Sequence, residues 1–71
     1  MTKKELKSIV SKWIPDNDRA VDWDIDNDSI CSEYMVRVIT VSKHHIVFRT
    51  TYWVREDGSI DWEYTHTDLL N

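Results

Sequence analysis

Cysteine occurs once in this 71-residue chain, at Cys31, which rules out an internal disulfide and any cysteine-based metal framework. Proline and glycine also occur once each, at Pro15 and Gly58, leaving little material for a linker or a low-complexity tail. No apolar run approaches the roughly 18 residues that a membrane-spanning helix needs, and the Lys-rich start lacks the apolar segment of a signal peptide. From these absences a cytoplasmic protein without a membrane partner is expected. Gly-rich phosphate loops and nucleophile turns are missing too, so we expect no enzyme and assign no catalytic residue and no cofactor. A basic surplus is also lacking. Nine Lys and Arg stand against thirteen Asp and Glu, for a net charge of −4.

What is present points to a folded chain. Four Trp, three Tyr and one Phe supply large apolar side chains, which a domain this small needs. A chain of this length buries only about 60% of the surface it exposes when unfolded, so one domain over residues 1–71 with one modest core is expected. Charge falls in blocks. Residues 1–14 are basic, 15–33 acidic, 34–55 basic and 56–71 acidic. Alternating blocks argue against a general DNA binder, which needs a continuous basic footprint.

Thr2 and Glu5 form a capping box, and Leu6, Ile9, Val10, Trp13 and Ile14 then recur at helical spacing before Pro15 ends the helix. After Asp18 the apolar period changes to two. Val21–Ile25, Ile30–Val41, His45–Val54 and Ser59–His66 read as four strands with short turns. The expected fold is α+β: an N-terminal helix packed on one face of a four-stranded antiparallel meander.

Register decides which side chains are buried, because a slip of one residue exchanges the two faces. A three-residue loop, Glu56-Asp57-Gly58, with Gly58 in the left-handed region, pairs Val54 with Ile60, Tyr52 with Trp62, Thr50 with Tyr64 and Phe48 with His66. Pairing Val38 with Phe48 and Tyr34 with Tyr52 keeps Arg37 out of the core. An Asn27-Asp28 turn sets Ile25 opposite Ile30, Val21 opposite Tyr34 and Asp22 opposite Glu33. The expected core is Leu6, Ile9, Val10 and Trp13 over Val21, Trp23, Ile25, Tyr34, Val36, Val38, Ile46, Phe48, Tyr52, Val54, Ile60, Trp62 and Tyr64. The other face is expected to carry Met35, Ile39, Val41, Val47 and Trp53 beside Arg37 and Arg49, with acidic rims. A Trp among aliphatics on an open sheet marks a contact surface, for a partner or for a second copy of the chain. The alternative is that the tail THTDLLN folds over it, with Leu69 and Leu70 as a lid.

The most distinctive stretch is VDWDIDNDS, with Asp22, Asp24, Asp26 and Asp28 at alternate positions. Asp22, Asp24, Asp26 and Glu33 match positions 1, 3, 5 and 12 of an EF-hand count, but Asn27 stands where that loop needs Gly, and the flanks alternate as strands. His44, His45 and His66 have no ligand spacing either. No metal site is therefore assigned. Charges on an edge strand discourage unwanted pairing between chains, which accounts for one or two carboxylates but less well for six Asp between residues 16 and 28. Alternate strand residues lie about 6.8 Å apart, close to the phosphate spacing of a nucleic-acid strand. In size and charge pattern the chain resembles small acidic proteins that block nucleic-acid enzymes. That likeness implies an inhibitor of phage anti-defence type, anti-CRISPR or anti-restriction. Asp22, Asp24, Asp26, Asp28 and Glu33 would then meet the basic surface of a protein partner, while Met35, Arg37, Ile39, Val47, Arg49 and Trp53 anchor it or a homodimer. The alternative from the same residues is a single-stranded nucleic-acid binder in which Trp53 stacks a base and Arg37 and Arg49 contact phosphate.

Overall fold

The computed structural model describes all 71 residues. The expected architecture is present: helix α1 (Lys3–Ser11) is followed by strands β1 (Arg19–Ile30), β2 (Glu33–Val41), β3 (Val47–Arg55) and β4 (His66–Leu69). The strands form one antiparallel sheet in the order β1-β2-β3-β4. The capping box closes as read: Thr2 Oγ1 accepts the Glu5 N–H, and the Glu5 carboxylate accepts the Thr2 N–H, both at 3.1 Å. Helix α1 packs on β1 and β2, and its Leu6 and Val10 are completely buried against Tyr34, Val36, Val38, Tyr52, Val54 and Ile60.

The hairpin reversals differ from expectation, each for a local reason. Strand β1 does not turn at Asn27-Asp28. The Asp26 carboxylate accepts the Asp28 N–H at 2.9 Å, satisfying the backbone without reversing the chain. The reversal comes at Cys31-Ser32, whose φ values of 52° and 65° are the left-handed pair of a two-residue hairpin turn. This later turn sets Trp23 opposite Val38 and Ile25 opposite Val36. The expected register would have given Trp23 only Ser32 as a partner. Two irregularities adjust β1 to the new pairing, one at Val21 and one over residues 27–29. The first leaves Val21 exposed rather than in the core.

Between β2 and β3 the pairing slips by two residues from the expected one, to Val36 with Tyr52 and Val38 with Thr50. A slip of two leaves every side chain on its expected face. Its cause is the five-residue loop 42–46, where Ser42 Oγ accepts the N–H groups of His44 and Ile46. Ile46 therefore sits in an exposed loop and not in the core.

The last hairpin begins as expected, with Gly58 at φ 86° and Val54 paired with Ile60. Beyond Ile60 the expected pairing fails. Asp61 starts a tight turn: its carboxylate accepts the Glu63 N–H, and its carbonyl accepts the Thr65 N–H and hydroxyl. The strand resumes only at His66, which pairs with Thr51, so Tyr52–Trp62, Thr50–Tyr64 and Phe48–His66 are not formed. Trp62 instead packs edge-on to Trp13, with ring centroids 4.9 Å apart, and both rings cap the core from its rim, about half exposed. The tail does not fold over the sheet. It becomes edge strand β4, fastened by Asn71, whose side chain accepts the Val47 N–H and donates to the His45 carbonyl.

The left-handed region costs roughly 1–2 kcal/mol for a residue that carries a Cβ. Replacing Cys31-Ser32 by Asn-Gly, the preferred pair for this turn, is expected to stabilise the fold by about 1 kcal/mol. Thermal unfolding should show the midpoint rising by about 4–8 °C.

Candidate functional site

Helix α1 covers one face of the sheet, and the other carries no element. Alternation along β1, β2 and β3 delivers both sets of sequence-selected residues to this uncovered face. The strand register arranges them in rows across the sheet: Asp22, Ile39, Arg49 and Asp68; Asp24, Arg37, Thr51 and His66; Asp26, Met35 and Trp53. Val47 lies beyond the first row, paired with Val41. The acidic edge and the apolar strip are thus one continuous surface. Met35, Arg37, Ile39, Val47, Arg49 and Trp53 are all half-buried.

Two expectations about the acidic set need correction. Glu33 does not face Asp22; it pairs with Ile30 on one side and Arg55 on the other, at the far end of the same face. Asp28 lies in the irregular part of β1, outside the row. The row proper is therefore Asp22, Asp24 and Asp26. None of these three, nor Asp28, has a cationic side chain within ion-pair distance. Asp22 and Asp26 each accept a backbone N–H of their own strand, from Trp23 and Asp28, which gives them a local role. Asp24 has no such bond.

The two arginines of the face are already engaged. Arg49 reaches Asp68 at 3.5 Å, and Arg37 Nε donates to Thr51 Oγ1 at 3.3 Å while lying across from Asp24. Even so, the face is incompletely satisfied. Arg49 Nε and Glu33 Oε1 are both buried with no hydrogen-bond partner, and no other side-chain atom in the molecule is in that position.

The turn 61–65 adds residues that alternation in the sequence had assigned to a strand. It fixes Trp53, whose N–H donates to Thr65 Oγ1 and whose carbonyl accepts the Asp61 N–H at 2.8 Å. It also buries Asp61 beside Glu33, with Arg55 reaching the Asp61 carboxylate at 3.6 Å. Tyr64, expected in the core, is exposed next to Trp53. The result is a hollow of about 550 Å³ lined by Ile30, Cys31, Glu33, Trp53, Tyr64 and His66. Only Glu33 and Trp53 were singled out from the sequence. Asp61 carried one faint signal, since Asp starting a tight turn is a known pattern.

No family model, no curated protein and no solved structure matches the chain. The site therefore has to be read from its own chemistry. No group of three or more His, Cys, Asp or Glu side chains comes together in metal-binding geometry, and Asp22, Asp24 and Asp26 lie along an extended strand and not in a loop. No helix is long and apolar enough to cross a membrane.

The Glu33 carboxyl is held above the usual range. The hydrogen bond its protonated form makes with Asp61 is the main cause, followed by burial and by repulsion from Asp61; Arg55 acts in the opposite direction. A raised value means that the folded chain holds this proton more tightly than the unfolded chain. The stability this contributes is present below pH 4.5 and is lost as pH rises through the raised value. At neutral pH the ionised Glu33 therefore works against the fold. Glu33→Gln, whose amide can donate to Asp61 at any pH, should raise the unfolding midpoint by a few degrees at pH 7. Melting curves taken down to pH 4 should show that advantage disappearing.

Proposed function

We propose that this chain is a non-catalytic protein-binding domain that presents its uncovered sheet face to a basic surface. In its most concrete form it is an inhibitor that occupies a basic groove of a nucleic-acid-handling protein. The observation that carries this reading is the row Asp22, Asp24 and Asp26, unpaired along an edge strand and continuous with Met35, Ile39 and Trp53. Like charges at about 6.8 Å intervals repel one another, and Asp24 has no local bond in return. A partner carrying Lys and Arg would supply the missing counter-charge. The apolar strip would supply most of the affinity, and charge would set encounter rate and specificity.

The nucleic-acid reading is weaker on this geometry. Arg49 is held by Asp68, Arg37 lies across from Asp24, and the acidic row borders both. A phosphate backbone would meet more repulsion than attraction on this face.

The two readings respond oppositely to charge reversal. Asp22→Lys with Asp24→Lys removes the net negative charge of −4. Titration of the labelled protein with a nona-arginine peptide, followed by backbone NMR, should shift Asp22, Asp24, Asp26, Met35 and Trp53 in the parent. Affinity should fall at least tenfold in the double variant, and binding of oligothymidine should not exceed that of the basic peptide in the parent. Tighter oligothymidine binding by the parent would sink the protein-binding reading. Co-purification from source cells, parent against double variant, then identifies the partner.

A further inference from the structure

The acidic row explains why a basic partner is attracted, but not where such a partner is gripped. The hollow at the end of the uncovered face has the composition for that task. Its apolar walls are Trp53, fixed through its backbone by the turn 61–65, and the exposed side chains of Tyr64 and Ile30. Its acidic wall is Glu33, with the buried Asp61 carboxyl behind it. One cation, Arg55, reaches the Asp61 carboxylate at 3.6 Å and also donates to the Ile60 carbonyl at 3.1 Å and the Ser59 hydroxyl at 3.4 Å; it does not line the hollow. Glu33 itself has no cation within ion-pair distance, and its buried Oε1 faces the Asp61 carboxyl, with which it forms a hydrogen bond only when Glu33 is protonated.

Two aromatic side chains beside a carboxylate that has no cation within ion-pair distance together favour one ligand chemistry: an N–H-bearing cation on an aliphatic stem. The stem covers Ile30, the cation lies against Trp53 or Tyr64, where the ring quadrupole attracts it, and its N–H satisfies Glu33. A volume of about 550 Å³ has ample room for one Lys or Arg side chain. His66, on β4, is the only basic group in the lining; it contacts the Tyr64 carbonyl and Asp68, and it is exposed.

We propose that this hollow receives one basic side chain of the protein partner and so anchors the contact that the acidic row steers. The proposal rests on the protein-binding reading and adds the point of attachment.

The test uses single-residue probes, so that it reads the hollow separately from the acidic row. The full chain is titrated with N-acetyl-arginine amide and N-acetyl-lysine amide, and with the neutral isostere N-acetyl-citrulline amide. The Trp indole N–H resonances are followed, with Trp53 assigned through Trp53→Phe. A saturable shift of the Trp53 indole in the millimolar range with either cation, and none with citrulline, is the expected result. Glu33→Gln should weaken that binding at least tenfold. Because this variant is expected to melt higher than the parent at neutral pH, the loss would not reflect unfolding. Equal binding of citrulline, or cation binding that survives Glu33→Gln, overturns the proposal. If the nona-arginine peptide shifts the acidic row while no single-residue cation reaches Trp53, the hollow is not the anchor, and the protein-binding reading stands without it.

Discussion

A single short helix cannot cover both faces of a sheet, and everything distinctive about this protein follows from that constraint. Helix α1 has nine residues, about 13 Å of length, and it packs mainly on β1 and β2. The central strand β2 shows the consequence most plainly. Tyr34, Val36, Val38 and Thr40 are buried under the helix side, while Glu33, Met35, Arg37 and Ile39 emerge on the opposite side. The fold must therefore keep that second side tolerable in water, and it does so with arginines laid among aliphatics and with carboxylates along the edge.

The same shortage of covering elements shapes the helix side. Beyond β2, the core is closed by the rings of Trp13 and Trp62, packed edge to face, with Tyr52 beneath at 6.3 Å from Trp62. These rings remain about half exposed because no second helix lies above them. The Lys7 ammonium lies 5.2 Å from the centroid of the Trp23 ring, a cation–π contact that adds to the cover. A 71-residue chain has few large side chains to spend, and here several are used at the rim, half in water.

The turn 61–65 links fold to function. It interrupts what would have been a full-length fourth strand, so β4 has only four residues. In return it buries Asp61 against Glu33, props Trp53 through Thr65 and leaves Tyr64 standing free. The aspartate row along the β1 edge and the aromatic hollow where the β1–β2 hairpin meets this turn thus lie at different points of one face. That division suits a binder whose encounter is steered by charge and whose hold depends on a desolvated contact.

Apolar period and capping residues determined the element types, their order and the face on which each central side chain lies, because those depend only on spacing along the chain. Alternation placed Asp22, Asp24 and Asp26 with Met35, Arg37, Ile39, Arg49 and Trp53 away from the core. That assignment survived a two-residue slip between β2 and β3, since such a slip preserves parity. The reversals were not legible in the same way. Asn27-Asp28 looked a better turn than Cys31-Ser32, yet the later turn gives Trp23 an apolar partner in Val38, a gain that appears only once two strands are paired. Likewise Ile60, Trp62 and Tyr64 alternate like a strand, and nothing local shows that Asp61 would be buried beside Glu33. Spacing along the chain thus settled which residues share a face. Only tertiary pairing, by weighing partners across strands, decided which of them meet in the hollow around Trp53.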